Sequence, residues 1–153
     1  FAPHHQAAAD ELIRVTRPGG RIGLACWTPT GFIGQMFATM KPYAPPPPAG
    51  ASPAPLWGDP DHVRELFGNR VSDLRFDTRR LRATHFATAA DFRDYFKSNY
   101  GPTIVVYRSL ADQPDRISAL DRDLEELGRR FDLGNGDRLV LDWEYVIATG
   151  RVN

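Results

Sequence analysis

The chain has 153 residues, 42% of them hydrophobic, and its 19 Lys plus Arg balance 19 Asp plus Glu. That length fits one compact domain over residues 1–153, and a neutral balance excludes a bulk field for nucleic acid or an anionic membrane. No apolar run approaches the roughly 18 residues of a membrane span, so the expected partners are small molecules or proteins, with no nucleic acid and no membrane.

The single cysteine, Cys26, excludes an intrachain disulfide and points to a reducing, cytoplasmic setting. The chain opens on Phe1-Ala-Pro-His-His, which lacks the basic-then-apolar order of a secretory signal. It also lacks an initiator methionine, as expected of a processed, cleaved or trimmed product.

In chain order, residues 7–17 place Ala8, Leu12 and Val15 at i, i+4 and i+7 with Asp10, Glu11, Arg14 and Arg17 between them, which predicts an amphipathic helix. Pro18, Gly19 and Gly20 stop it. Ile22 to Trp27 carries no charge on either face, as expected of a strand inside a sheet. From Gly31 to Tyr43, Phe32, Ile33, Met36, Phe37 and Met40 fall at helical spacing on a broad apolar face. Residues 44–56 are a proline-rich strap, extended and unable to donate ladder hydrogen bonds at its prolines.

Asp59 as N-cap, Pro60 at the first helical position and Gly68 just past the end specify a short helix. Val71 to Phe86 reads as one long strand whose alternation changes register, which predicts a bulge or bend near Asp77 to Arg79. Its Arg75, Arg79, Arg80 and Arg82 would suit an anionic ligand, but charge on an outer strand is also a defence against aggregation, and the second reading is preferred. Ala89 to Tyr100 is helical. Thr103 to Leu110 is a β-branched run that propensity alone would make a strand. Pro114 to Phe131 sets Ile117, Leu120, Leu124, Leu127 and Phe131 in steps of three and four, a helix with one narrow stripe. Gly134-Asn-Gly-Asp is a turn, and alternation from Leu139 to Ala148 makes the last long strand. Helix, strand, helices, strand, helices, strand is an α/β order.

The helix ending in L-x-R-V-x-R-P-G-G, the apolar strand after it, the Trp27-Thr-Pro-Thr-Gly-Phe-Ile-Gly continuation and the closing Trp143-Glu-Tyr-Val-Ile-Ala-Thr-Gly-Arg strand resemble class I S-adenosylmethionine-dependent methyltransferases of the UbiE-like, type 11 kind. The resemblance spans most of the chain and matches the carboxyl-terminal part of that family. It implies a partial Rossmann-like α/β fold of about three strands in the order 5-7-6, the last antiparallel between the strands around Ile22 and Leu74, with flanking helices. It also implies a helix at 103–110. The family's glycine-rich cofactor turn and the acidic residue after its second strand have no counterpart here, so S-adenosylmethionine belongs to a complete enzyme and is not expected on this chain alone. A sheet cut at that point leaves Ile22 to Cys26 as an open edge, which suggests a homodimer formed through it.

On this resemblance the family would transfer a methyl group to a small molecule, with the protein supplying position and in some cases a base. His4 is the candidate base and His5 a lesser one, because they would follow the fourth strand, near the carboxyl edge where ligands of open α/β sheets gather. Trp27, Phe32 and Met36 are the candidate substrate contacts, and Trp57 and His62 are weaker ones. The histidines at 4, 5, 62 and 85 and the lone cysteine show no metal-ligand spacing. No G-x-S-x-G elbow supports a serine nucleophile, and Gly134-Asn-Gly precedes a strand, where a phosphate cradle is not expected. Two other readings stand beside the enzyme: a non-catalytic, dimerising remnant or ligand-binding module, and a helix-plus-sheet ligand-binding protein unrelated to methyltransferases.

Overall fold

The computed structural model describes residues 2–153, a mixed α/β chain. Its elements are α1 (His5–Val15), β1 (Arg21–Trp27), α2 (Phe32–Met40), a 3-10 turn (Ala54–Gly58), α3 (Pro60–Phe67), β2 (Val71–Phe86), α4 (Ala89–Asn99), α5 (Gly101–Ser109), α6 (Pro114–Arg130) and β3 (Leu139–Val152). The three strands form one sheet in the order β1-β3-β2, so the last strand of the chain is the middle one. β3 runs antiparallel to β1, from Arg21 opposite Arg151 to Trp27 opposite Tyr145. Arg80 bonds Glu144 and Arg82 bonds Asp142, a descending register that makes β2 antiparallel to β3 as well. In this chain's own numbering the order is 1-3-2.

The residues gather into two compact units that interleave along the sequence. The first comprises 1–33, 47–80 and 144–153. Its core is Ala9, Ile22, Trp57, Val63, Leu66, Phe67, Val71 and Val152, with Leu12, Leu24, Cys26 and Leu74 packed against it. Each large side chain buried there is worth about 1.5–3 kcal/mol. The Pro-Gly-Gly stop after α1 is tied to the end of β3: Gly19, at φ 74°, donates its amide to the Val152 carbonyl at 2.8 Å, and the Val152 amide returns to Gly20 at 2.9 Å. That pair of hydrogen bonds fixes where β1 starts.

β1 lies at the sheet edge rather than inside it, paired only with β3 among the described residues. Ile22 is buried and Leu24 and Cys26 are half-buried, while Gly23 and Ala25, on the other face, are exposed. An uncharged run satisfies both a central strand and an edge strand whose second face is uncovered, so the pattern could not separate them.

The cap of α3 is as expected, with Asp59 Oδ1 accepting from the Asp61 and His62 amides at 2.9 and 3.4 Å and Gly68 at φ 56°. Two details of this unit differ from expectation. The strap ends early, since residues 54–56 already belong to the 3-10 turn that buries Pro55 and Trp57. β2 carries a left-handed residue that the alternation did not announce, Asp73 at φ 53°, besides the change of buried parity between Phe76 and Ala83 that brackets Asp77 to Arg79. There Asp77 and Arg79 pair with each other at 2.7 Å and the strand continues.

The second unit comprises 34–46 and 81–143. Thr88 and Asp91 form a reciprocal capping box at the start of α4. Pro102 sits in the first turn of α5, and Thr103, Val106 and Tyr107 are buried at helical spacing, so tertiary burial overrides the strand propensity of 103–110. Gly128 of α6 faces Ala89, where an added β-carbon would come within 3.0 Å, and this pair of small residues lets α4 and α6 approach closely. Leu120, Leu124 and Leu127 are sealed beneath. Phe86, Phe92 and Phe96 stack nearby, with centroids 4.8 to 6.5 Å apart.

No described helix is long and apolar enough to cross a membrane.

Candidate functional site

The polar groups of the first unit that burial sets apart lie near the carboxyl end of β1. His5 opens α1 and is 2% exposed. Its Nδ1 lies 2.8 Å from His62 Nε2 on α3, and its ring rests 4.8 Å from that of Trp57. The 3-10 turn carrying Trp57 is held against the strand end, because Gly58 abuts the Trp27 carbonyl so closely that a β-carbon would overlap it. Helix start, aromatic turn and strand end are therefore one cluster.

One proton is shared along the His5–His62 bond, and the direction of donation sets whether His5 Nε2 is an acceptor or a donor. That Nε2 is buried and has no hydrogen-bond partner among the described residues. Burial, and then the nearby His62, hold the His5 imidazole below its ordinary proton affinity. Near neutral pH His5 is uncharged, the form a proton acceptor requires.

Beside it, Thr28 donates its hydroxyl to Glu144 at 3.0 Å and accepts from the Gly31 amide at 3.0 Å, while Arg80 holds the other Glu144 oxygen at 3.2 Å. The turn from β1 into α2 is filled by these groups: a β-carbon at Gly31 would meet Thr28 Oγ1 at 2.6 Å and Glu144 Cβ at 2.9 Å.

An apolar groove of about 450 Å³ opens next to Trp57, lined by Ala8, Leu12 and Val15 of α1 and by Leu24 and Cys26 of β1. Burial pushes the Cys26 thiol up, which keeps it protonated and unreactive.

Of the residues singled out in the sequence, His4 is exposed just ahead of α1, its ring beside Gly50 of the strap. Trp27 is half-buried with its ring 6.0 Å from Tyr145. Phe32, in the first unit, and Met36, in the second, are both 0% exposed, so each presents no surface to a ligand in this conformation. Trp57 and His62, the weaker candidates, are the ones that meet His5. Fifty-seven positions separate the two histidines, and no local spacing announces their pairing. Glu144 was also missed, since it reads as one polar residue in an alternating strand. No group of three His, Cys, Asp or Glu able to hold a metal lies together among the described residues.

No family model matches the chain. It is similar to the uncharacterized proteins Rv1403c and Rv1405c of Mycobacterium tuberculosis, at 46% identity over 151 residues. The uncharacterized protein Mb1438c of Mycobacterium bovis is similar to the same degree. Each match takes in 99% of this chain and 54% of the relative. The chain thus spans about half the length of the curated relatives it matches.

Proposed function

We propose that this chain is the carboxyl-terminal part of a Rossmann-like, S-adenosylmethionine-dependent methyltransferase that acts on a small molecule. The observation that carries the reading is the joint arrangement of α1, its Pro-Gly-Gly stop and β1 with the last strand antiparallel beside them. In that reading β1, β3 and β2 stand for strands five, seven and six of the larger sheet. The greater length of the relatives is compatible with a cofactor-binding part carried elsewhere in such proteins. When bound there, the cofactor supplies the methyl group and the leaving sulfide.

This chain's own contribution is on the acceptor side. The apolar groove beside Trp57 favours an acceptor with a hydrophobic body, while His5, 2% exposed and held by His62 and Trp57, is uncharged and would serve as a base only where a movement of α1 uncovers its Nε2. Calorimetric titration of S-adenosylmethionine and S-adenosylhomocysteine tests the reading. Binding is expected to the full-length Rv1403c relative and not to this chain; absence of binding to the relative overturns the assignment.

A second reading, a non-catalytic module that dimerises or holds an apolar ligand, is favoured by the open edge of β1 and the exposed Gly23 and Ala25. It gains if the relative binds no cofactor while this chain self-associates.

A further inference from the structure

At the opposite end of β1 from Trp27, about 20 Å away at the rise of a strand, a cavity of about 170 Å³ is lined by Arg21, Asp73, Arg75, Thr149, Gly150 and Arg151. We propose that this cavity binds the phosphate or diphosphate group of a small phosphorylated ligand through Arg21, Arg75 and Arg151.

The argument begins with the arginines of β2. Arg79 pairs with Asp77 at 2.7 Å, Arg80 with Glu144 at 3.2 Å and Arg82 with Asp142 at 2.8 Å. These three neutralise themselves on the strand surface, as residues that merely guard an outer strand can. Arg75, on the same strand, has no carboxylate partner among the described residues.

Its neighbours in the cavity repeat the anomaly. Arg21 and Arg151 stand directly opposite each other across the β1–β3 ladder, a like-charge pairing that destabilises a sheet unless an anion lies between the two. Among the described residues Arg21 has no carboxylate either, and the Arg151 guanidinium donates only to the Gly19 carbonyl, at 3.5 Å. Asp73 lines the same cavity yet pairs with none of the three. Its φ of 53° puts a non-glycine residue in the left-handed region, where local strain is held by the surroundings. Three guanidiniums against one unpaired carboxylate leave a net positive cavity.

Guanidinium forks match phosphate oxygens two at a time, and the Thr149 hydroxyl adds a donor. The volume admits a phosphate or diphosphate but not a folded polyanion, so a small ligand is the occupant. The site is independent of the methyl-transfer reading.

The test is calorimetric titration of inorganic phosphate and pyrophosphate at about 0.1 M NaCl, where the Debye length is about 10 Å and diffuse attraction is screened. Sulfate serves as the charge control, and Arg75→Gln, Arg21→Gln and Arg80→Gln/Arg82→Gln serve as variants. Pyrophosphate is expected to bind at submillimolar concentration, tighter than sulfate, and to raise the melting temperature. Arg75→Gln and Arg21→Gln are each expected to weaken it about tenfold, in line with the loss of a charge-assisted contact, while the Arg80/Arg82 variant leaves it unchanged. Circular dichroism confirms that the variants fold, since all of these side chains are exposed. No binding of pyrophosphate at 10 mM, roughly a millimolar-affinity limit, overturns the proposal, and so does equal weakening by the Arg80/Arg82 variant.

Discussion

At the scale of single residues, His5 carries a titration that stability measurements can read. Its folded proton affinity is lowered, chiefly by burial and then by His62, so the unfolded chain binds the proton more readily, at about pH 6.5. Its contribution to stability is complete above that pH and is lost as pH falls toward the lowered native value. Urea unfolding at pH 7.5 and pH 5 is expected to show a less stable protein at the lower pH, with a smaller difference in His5→Gln. Asp10 and Asp132 are carboxylates held low, the first by Gln6 and Arg70 and the second by the Val140 and Gly134 amides, and the His5→Gln comparison isolates the His5 share. Gly58 supports a second residue-scale prediction. Gly58→Ala forces a β-carbon onto the Trp27 backbone carbonyl, whereas a β-carbon at Gly23 meets nothing within 4 Å. Gly58→Ala is expected to cost more than about 2 kcal/mol in denaturant unfolding and Gly23→Ala less than about 0.5 kcal/mol.

At the scale of elements, the helices of the second unit are fixed by their ends and by a shared polar network. The Thr88 hydroxyl accepts from the Asp91 amide at 3.1 Å, and the Asp91 carboxylate accepts from the Thr88 amide at 2.9 Å. Thr88→Ala is expected to cost about 1 kcal/mol, a fall in Tm of roughly 2–4 °C at this chain length, and Thr88→Ser to restore most of it. Between helices, Asp121 of α6 accepts from Tyr107 of α5 at 2.5 Å and from Lys97 of α4 at 3.1 Å, and Arg93 of α4 pairs with Glu125 of α6. Burial and Asp121 together hold the Tyr107 hydroxyl well above the usual tyrosine range, so it stays a donor throughout the accessible pH range. Ultraviolet titration is expected to find Tyr107 silent at pH 11, where exposed tyrosines are ionised.

At the scale of the whole molecule, the open edge of β1 and the groove beside α1 are the surface where a second copy would pair. Sedimentation velocity between about 1 and 100 µM, the range of transient association, is expected to show a dimer. Val15, which lines the groove at 66% exposure, gives the disrupting variant: Val15→Lys should weaken association about tenfold, the scale of an interface residue worth more than 1 kcal/mol. A monomer at every concentration removes the self-association reading and leaves the methyltransferase reading standing.

Local chemistry made much of this legible. Asp59, Pro60 and Gly68 announce α3, the leucine steps announce α6, and Pro18-Gly-Gly separates α1 from β1, because caps, stops and periodicity act within a few residues. Other features depend on partners distant in sequence. Propensity favoured a strand at 103–110, and burial of Thr103, Val106 and Tyr107 made it helix. The alternation of β3 looks continuous, yet Leu139 and Leu141 are buried in its first part and Val146, Ala148, Gly150 and Val152 in its last, because each part serves the core of a different unit. The His5–His62 pair and the Arg21, Arg75 and Arg151 cavity are likewise assembled from separate segments. Sequence alone determined the elements whose caps, stops and periodicity are local, α1, α3 and α6 among them, since those are governed by neighbours along the chain. Only the tertiary structure decided which side chains lost water and which charges were left facing one another, since both depend on what the fold brings alongside.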